Sequence, residues 1–220
     1  MSSYSFLVAT VLILFIWFLR VANGNKCPPP EALYPCHCES GMDPVVRCIN
    51  LTRMETINEI FQQSGDLRFK YFVLENSTLM FLPASSLVSK RFYGLMILNT
   101  KLIGLFDAVP SSSNTIAVFS LQNVVIQRGI KWEHFQKFTK LVNLQFIKIQ
   151  IKTLGKEFTN NVPSGLTHLQ LMGTNTTKLA DGVFERLNKI YAFFITDNRI
   201  KVLKRNMFSR PCPVRNFAFE

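Results

Sequence analysis

The side chains suited to chemistry are few: three histidines, five cysteines and fourteen carboxylates in 220 residues. Cys36-His37-Cys38 gathers three soft metal ligands. Zinc sites favour a C-x₂₋₄-C spacing, and adjacent ligands on an extended segment point in different directions. No metal is therefore assigned. His134 and His168 belong to no H-E-x-x-H motif, and neither a G-x-S-x-G elbow nor a phosphate-binding loop occurs. The expectation is a non-enzyme with no catalytic residue and no cofactor.

The other cysteines follow from the compartment. Residues 6–19 are an apolar run closed by Arg20, and Ala22 and Gly24 supply the small residues of a cleavage site. Residues 1–24 read as a secretory signal peptide. The competing reading, an uncleaved anchor, needs ~20 apolar residues, and this run is shorter. No later run approaches that length, so no membrane segment is expected in the mature chain, which is placed outside the cell. There the clustered Cys27, Cys36, Cys38 and Cys48 should form disulfides, with three pairings open. Cys212 has no evident partner. Asn50, Asn76 and Asn175 each head an Asn-x-Ser/Thr sequon and are candidate glycosylation sites.

The elements that must position these residues show a period. Leu166, Leu169 and Leu171 reappear as Ile190, Phe193 and Ile195, 24 residues later. Sliding that template gives starts at Val45, Phe69, Phe92, Ile116, Leu141, Leu166, Ile190 and Val214. Position 4 is then Cys48, Phe72, Leu95, Phe119, Leu144, Leu169, Phe193 and Phe217. Position 6 is Asn50, Leu74, Ile97, Leu121, Phe146, Leu171, Ile195 and Phe219. Beyond the first unit every entry is apolar. Chance does not give that regularity, even in a chain that is 48% hydrophobic. Leu82, Leu105, Leu154, Leu179 and Leu203 recur near position 14, with Ile130 one place late. Leu87, Val109, Phe135, Phe158, Phe184 and Phe208 recur near position 19. One unit cannot bury these faces alone, but stacked units share a core.

Leu179-Ala180-Asp181-Gly182-Val183-Phe184-Glu185-Arg186-Leu187 resembles the typical extracellular subclass of leucine-rich repeats. The resemblance covers about residues 45–219. It implies an α/β solenoid: a horseshoe with a parallel β-sheet on the concave face and an irregular, short-helical convex side. It also implies Asn at position 9, where this chain has Ser77, Thr100, Val124, Ile149, Thr174 and Asn198. Ser and Thr can partly replace Asn there; Val124 and Ile149 cannot. The cysteine cluster resembles the family's N-terminal cap, which implies pairing of Cys27 with Cys38 and Cys36 with Cys48. Residues 27–38 resemble the start of secreted arthropod proteins named after the non-catalytic subunit of Oplophorus-luciferin 2-monooxygenase. That likeness implies a scaffold or stabilising partner with no chemistry of its own.

Within that architecture the concave positions are predicted to carry Tyr71, Tyr93, Met96, Leu98, Val118, Asn143, Gln145, His168, Gln170, Met172, Tyr191 and Phe194. The lane is aromatic, Met-rich and nearly uncharged, as interface cores are, and so large an apolar patch implies a partner. The competing readings are an error of register or repeats decaying on that face. Basic residues such as Lys90, Arg91, Lys178, Arg199, Lys201 and Lys204 flank the strands. With a net charge of +11, they suit an acidic polysaccharide. Nucleic acid is not expected for an exported chain without a nucleic-acid motif. His168 is read as a contact residue.

The expected organisation is a signal peptide (1–24), a cysteine cap (25–50), a first coil (51–68), repeats (69–213) and the start of a further, truncated repeat (214–220). The chain is read as a product of a longer protein, with Cys212-linked dimerisation as the alternative. The function expected is binding of an extracellular protein through the concave sheet, in the manner of a non-catalytic subunit. The alternative is an ectodomain fragment of an adhesion molecule or receptor.

Overall fold

The computed structural model describes residues 27–219. The signal peptide expected over residues 1–24 and the terminal Glu220 lie outside the described residues. The chain forms long strands in the main sheet, each followed in the middle units by a two-residue strand. They are β1 (His37–Glu39), β2 (Val45–Ile49), β3 (Tyr71–Glu75), β4 (Thr78–Leu79), β5 (Gly94–Leu98), β6 (Lys101–Leu102) and β7 (Val118–Gln122). The series continues with β8 (Val125–Ile126), β9 (Asn143–Ile147), β10 (Thr153–Leu154), β11 (His168–Met172), β12 (Lys178–Leu179), β13 (Ala192–Thr196) and β14 (Asn216–Phe219). An open sheet of nine strands runs β1-β2-β3-β5-β7-β9-β11-β13-β14. All its neighbours are parallel except β1 with β2. Helices are few and short: Glu55–Gln63, Ala84–Ser89 and Lys156–Asn161. None among the described residues is long and apolar enough to cross a membrane.

The periodic columns become the core. Phe72 and Leu74, Leu95 and Ile97, Phe119 and Leu121, Leu144 and Phe146, Leu169 and Leu171, and Phe193 and Ile195 are all buried. They alternate along their strands with residues on the other face, as the two-residue period of a strand requires. Burying one such side chain contributes about 1.5–3 kcal/mol. Behind them the rings stack from unit to unit: Trp132 meets Phe158 at 4.9 Å, Phe158 meets Phe184 at 5.9 Å, and Phe184 meets Phe193 at 4.8 Å. Val109 departs from the predicted column. It is 45% exposed, and Phe106 of the same unit is buried instead, against Phe119 and Phe138. Phe106 stands opposite Leu82 of the preceding unit, and Val109 is left at the surface.

Disulfides join Cys27 to Cys38 and Cys36 to Cys48. This is the pairing that the cap resemblance implies, whereas the pairing of β2 with β3 corrects the register of the first unit. Val46 pairs with Phe72 and Cys48 with Leu74, so Cys48 stands at position 6 and the unit begins two residues earlier than Val45. Val46 and Cys48 are buried, whereas Asn50, expected to face inward, is exposed. The bond from Cys48 to Cys36 ties β2 to the residue just before β1, its antiparallel neighbour in the sheet.

Candidate partner-binding face

The strand face turned away from the core is assembled in three registered rows. The first runs Tyr71, Gly94, Val118, Asn143, His168, Ala192. The second runs Val73, Met96, Ser120, Gln145, Gln170, Phe194, and the third Glu75, Leu98, Gln122, Ile147, Met172, Thr196. Tyr93 and Tyr191 stand just before β5 and β13. Of the twelve residues predicted to line the face, Tyr93, His168 and Tyr191 are exposed and the other nine half-buried. Parallel pairing brings all of them onto one surface.

The rows are not uniform. At one end Tyr71 lies across the neighbouring strand, where a side chain on Gly94 would strike its ring at 2.5 Å. Tyr71 meets Tyr93 edge to face at 5.8 Å, and Lys70 lies 5.4 Å from the Tyr93 centroid. At the other end His168 sits 6.1 Å from Tyr191, with Nδ1 2.8 Å from the Thr167 hydroxyl. Between these aromatic ends the middle is rich in amides and hydroxyls: Ser120, Gln122, Asn143, Gln145 and Gln170. The Gln122 amide donates to the Ser120 hydroxyl at 3.4 Å. The Asn143 Oδ1 and Thr196 Oγ1 atoms are shielded and lack a hydrogen-bond partner.

Charge gathers where the face meets the cap, and the sequence reading missed it. Arg47 reaches both Glu39 and Glu75, the latter at 3.2 Å, and Lys70 reaches Asp43 at 2.7 Å. The hydrogen bond from Arg47 holds the Glu39 carboxyl below the usual carboxylate range. The hydrogen bond to Asp43 raises Lys70. Placing β2 in its observed register puts Arg47 beside Val73 on the face, so the uncharged lane has a charged margin.

A second column was also missed. The first residue after each long strand from β2 to β13 has a positive φ: Asn50, Asn76, Asn99, Asn123, Lys148, Gly173 and Asp197. Asn, Asp and Gly tolerate this left-handed turn, so the recurring Asn was its sequence signal. At the next residue, position 9, Ser77 Oγ accepts from the Leu51 amide at 2.9 Å and donates to the Glu75 carbonyl at 2.8 Å. Thr100 Oγ1 accepts from the Ser77 amide at 3.3 Å. Asn198 Oδ1 accepts from the Thr174 and Thr176 amides, and its Nδ2 donates to the Leu171 and Thr196 carbonyls.

The basic flanks resolve into one corrected residue and one cluster. Lys90 is buried, donates to the Gly65 carbonyl and is lowered by desolvation. It cannot serve a surface field. Lys178, Arg199, Lys201 and Lys204 instead rim an open groove of about 570 Å³ with Leu179, Ile200 and Met207. The candidate glycosylation residues Asn50, Asn76 and Asn175 are all exposed. Cys212 is a free, exposed thiol. Cys36 and Cys38 are committed to disulfides, so the Cys36-His37-Cys38 stretch holds no thiolate ligand. No protein-family model matches the chain.

Proposed function

We propose that this chain is an extracellular leucine-rich repeat protein that binds another protein through the concave face of a horseshoe. In this reading the nine-stranded sheet lines the concave side, residues 1–24 direct export, and the chain acts as a non-catalytic member of a complex. The observation that carries it is the continuous sheet face on which all twelve predicted contact residues keep access to solvent. Aromatic anchors at both ends of an amide-rich strip are the composition that protein interfaces favour. The decisive test is affinity capture from extracellular fluid of the source organism, with Phe194→Asp as control. Phe194 is half-buried, so the variant should melt as the native chain does and lose a stoichiometric partner. Retained capture would remove the face from the proposal. A downstream membrane segment in a longer transcript would favour the ectodomain reading instead.

The cationic groove supports a second interaction, with an acidic polysaccharide. Four cations share its rim, and such contacts weaken steeply with salt. Capture that disappears in salt yet ignores Phe194→Asp would assign the interaction to this flank.

A further inference from the structure

The two-residue strands form two sheets, not one: β4-β6-β8 and β10-β12. The seam lies between β8 and β10. β8 begins at Val125, the third residue past β7, whereas β10 begins at Thr153, the sixth past β9. The shift coincides with the two units whose position 9 is apolar, Val124 and Ile149. A groove of about 430 Å³ opens at this seam, within the ~300–1,000 Å³ typical of small-molecule sites. Val124, Ile126, Ile130 and Ile149 supply its aliphatic wall.

Its polar margin is formed by Lys148, Gln150 and Asn175. Lys148 is the one charged residue lining the groove. It occupies the left-handed position that Asn, Gly or Asp takes in every other unit. Its stem lies over Gly173, where an added Cβ would stand 3.5 Å from Lys148 Cγ. Lys148 is exposed, and no acidic residue lines the groove with it.

We propose that this groove binds a small amphipathic anion, its aliphatic body against the Val and Ile wall and its carboxylate on Lys148. An open groove with an aliphatic wall and one cation at its polar margin complements that chemistry and lacks the several cations that a polyanion would need. The site is separate from the sheet face and does not depend on the function proposed for it.

Octanoate is the probe, titrated by calorimetry into protein whose Asn175 carries no glycan, with octanol as the neutral counterpart. The expected result is saturable one-to-one binding of octanoate, with octanol at least about tenfold weaker, as loss of a charge-assisted hydrogen bond implies. Lys148→Asn restores the residue type best suited to the turn and should fold at least as well, yet lose octanoate affinity about tenfold. Val125→Asp, at a residue 55% exposed on the groove, should also fold and repel the anion. No binding of octanoate, equal binding of octanol, or unchanged affinity in Lys148→Asn would each overturn the proposal.

Discussion

Asn198 and Ile149 stand at the same place in their units, the second residue after a long strand, and do opposite things. Asn198 uses its whole amide to tie backbone groups around Thr174 and Thr176. Ser77 and Thr100 do the same in part at the other end. Ile149, like Val124, is buried and carries no polar atom. Where the polar ladder is absent, aromatic packing is densest. Trp132 faces Phe135 and Phe146 at 5.8 Å each and Phe158 at 4.9 Å, bridging the two units across the seam. The same inter-unit cohesion is thus achieved by hydrogen bonds at one place and by ring packing at another. The second solution leaves the outer strands β8 and β10 unpaired with each other and the groove open.

That comparison can be broken at either end. Trp132→Ala should have the largest effect, a loss of about 3–5 kcal/mol in chemical denaturation, because it removes the ring that spans the seam. A loss below about 1 kcal/mol would mean that the rings do not replace the ladder. Asn198→Leu should cost somewhat less, about 2–4 kcal/mol, since it strands the Thr174 and Thr176 amides that it now satisfies. The outcome against the comparison would be a cost equal to that of an ordinary surface substitution, about 0.5 kcal/mol.

How much of this was legible depended on what the side chain was doing. Columns 1, 4 and 6 were readable because an inward strand position favours apolar residues: Phe72, Leu95, Phe119, Leu144, Leu169 and Phe193 are buried, whereas Phe217 of the same column, on the edge strand β14, is 52% exposed. The cap unit differs because its apolar pattern is short: Val46 and Cys48 fit two registers two residues apart, and the pairing of Cys48 with Leu74 distinguishes them. That slip turned Asn50 inward; Arg47 stays on the same face in either register and moves only from the Tyr71 row to the Val73 row. Phe106 and Val109 were confused because the irregular return segment has no fixed period to count along. The left-handed column stands in the sequence as Asn50, Asn76, Asn99 and Asn123, but Lys148, Gly173 and Asp197 break the run of one residue type. Apolar residues at Val124 and Ile149 were recognised as departures. That they coincide with a seam and a groove is a three-dimensional fact about β8 and β10, beyond the reach of a column of letters.

The smallest predicted effect tests how far the ring-packed region tolerates charge. His134 is buried edge to face against Phe106 at 5.6 Å, and its Nδ1 has no hydrogen-bond partner. Desolvation holds its pKa below the ordinary histidine value of 6.5, opposed by the nearby charges of Glu133 and Asp107 and assisted by that of Lys131. The folded state therefore binds the proton less readily than the unfolded chain. Stability should be full above the unfolded pKa and fall as pH drops from about 6.5 toward the folded value. Glu39, whose folded pKa is also lowered, acts in a separate window below 4.5. Melting followed from pH 7 to pH 5 should show a modest decline in the native chain and a flatter profile in His134→Leu. The exposed His37 and His168 remain in both proteins, so an identical decline in His134→Leu would place the proton elsewhere. It would show that protonating His134 costs the ring-packed region nothing.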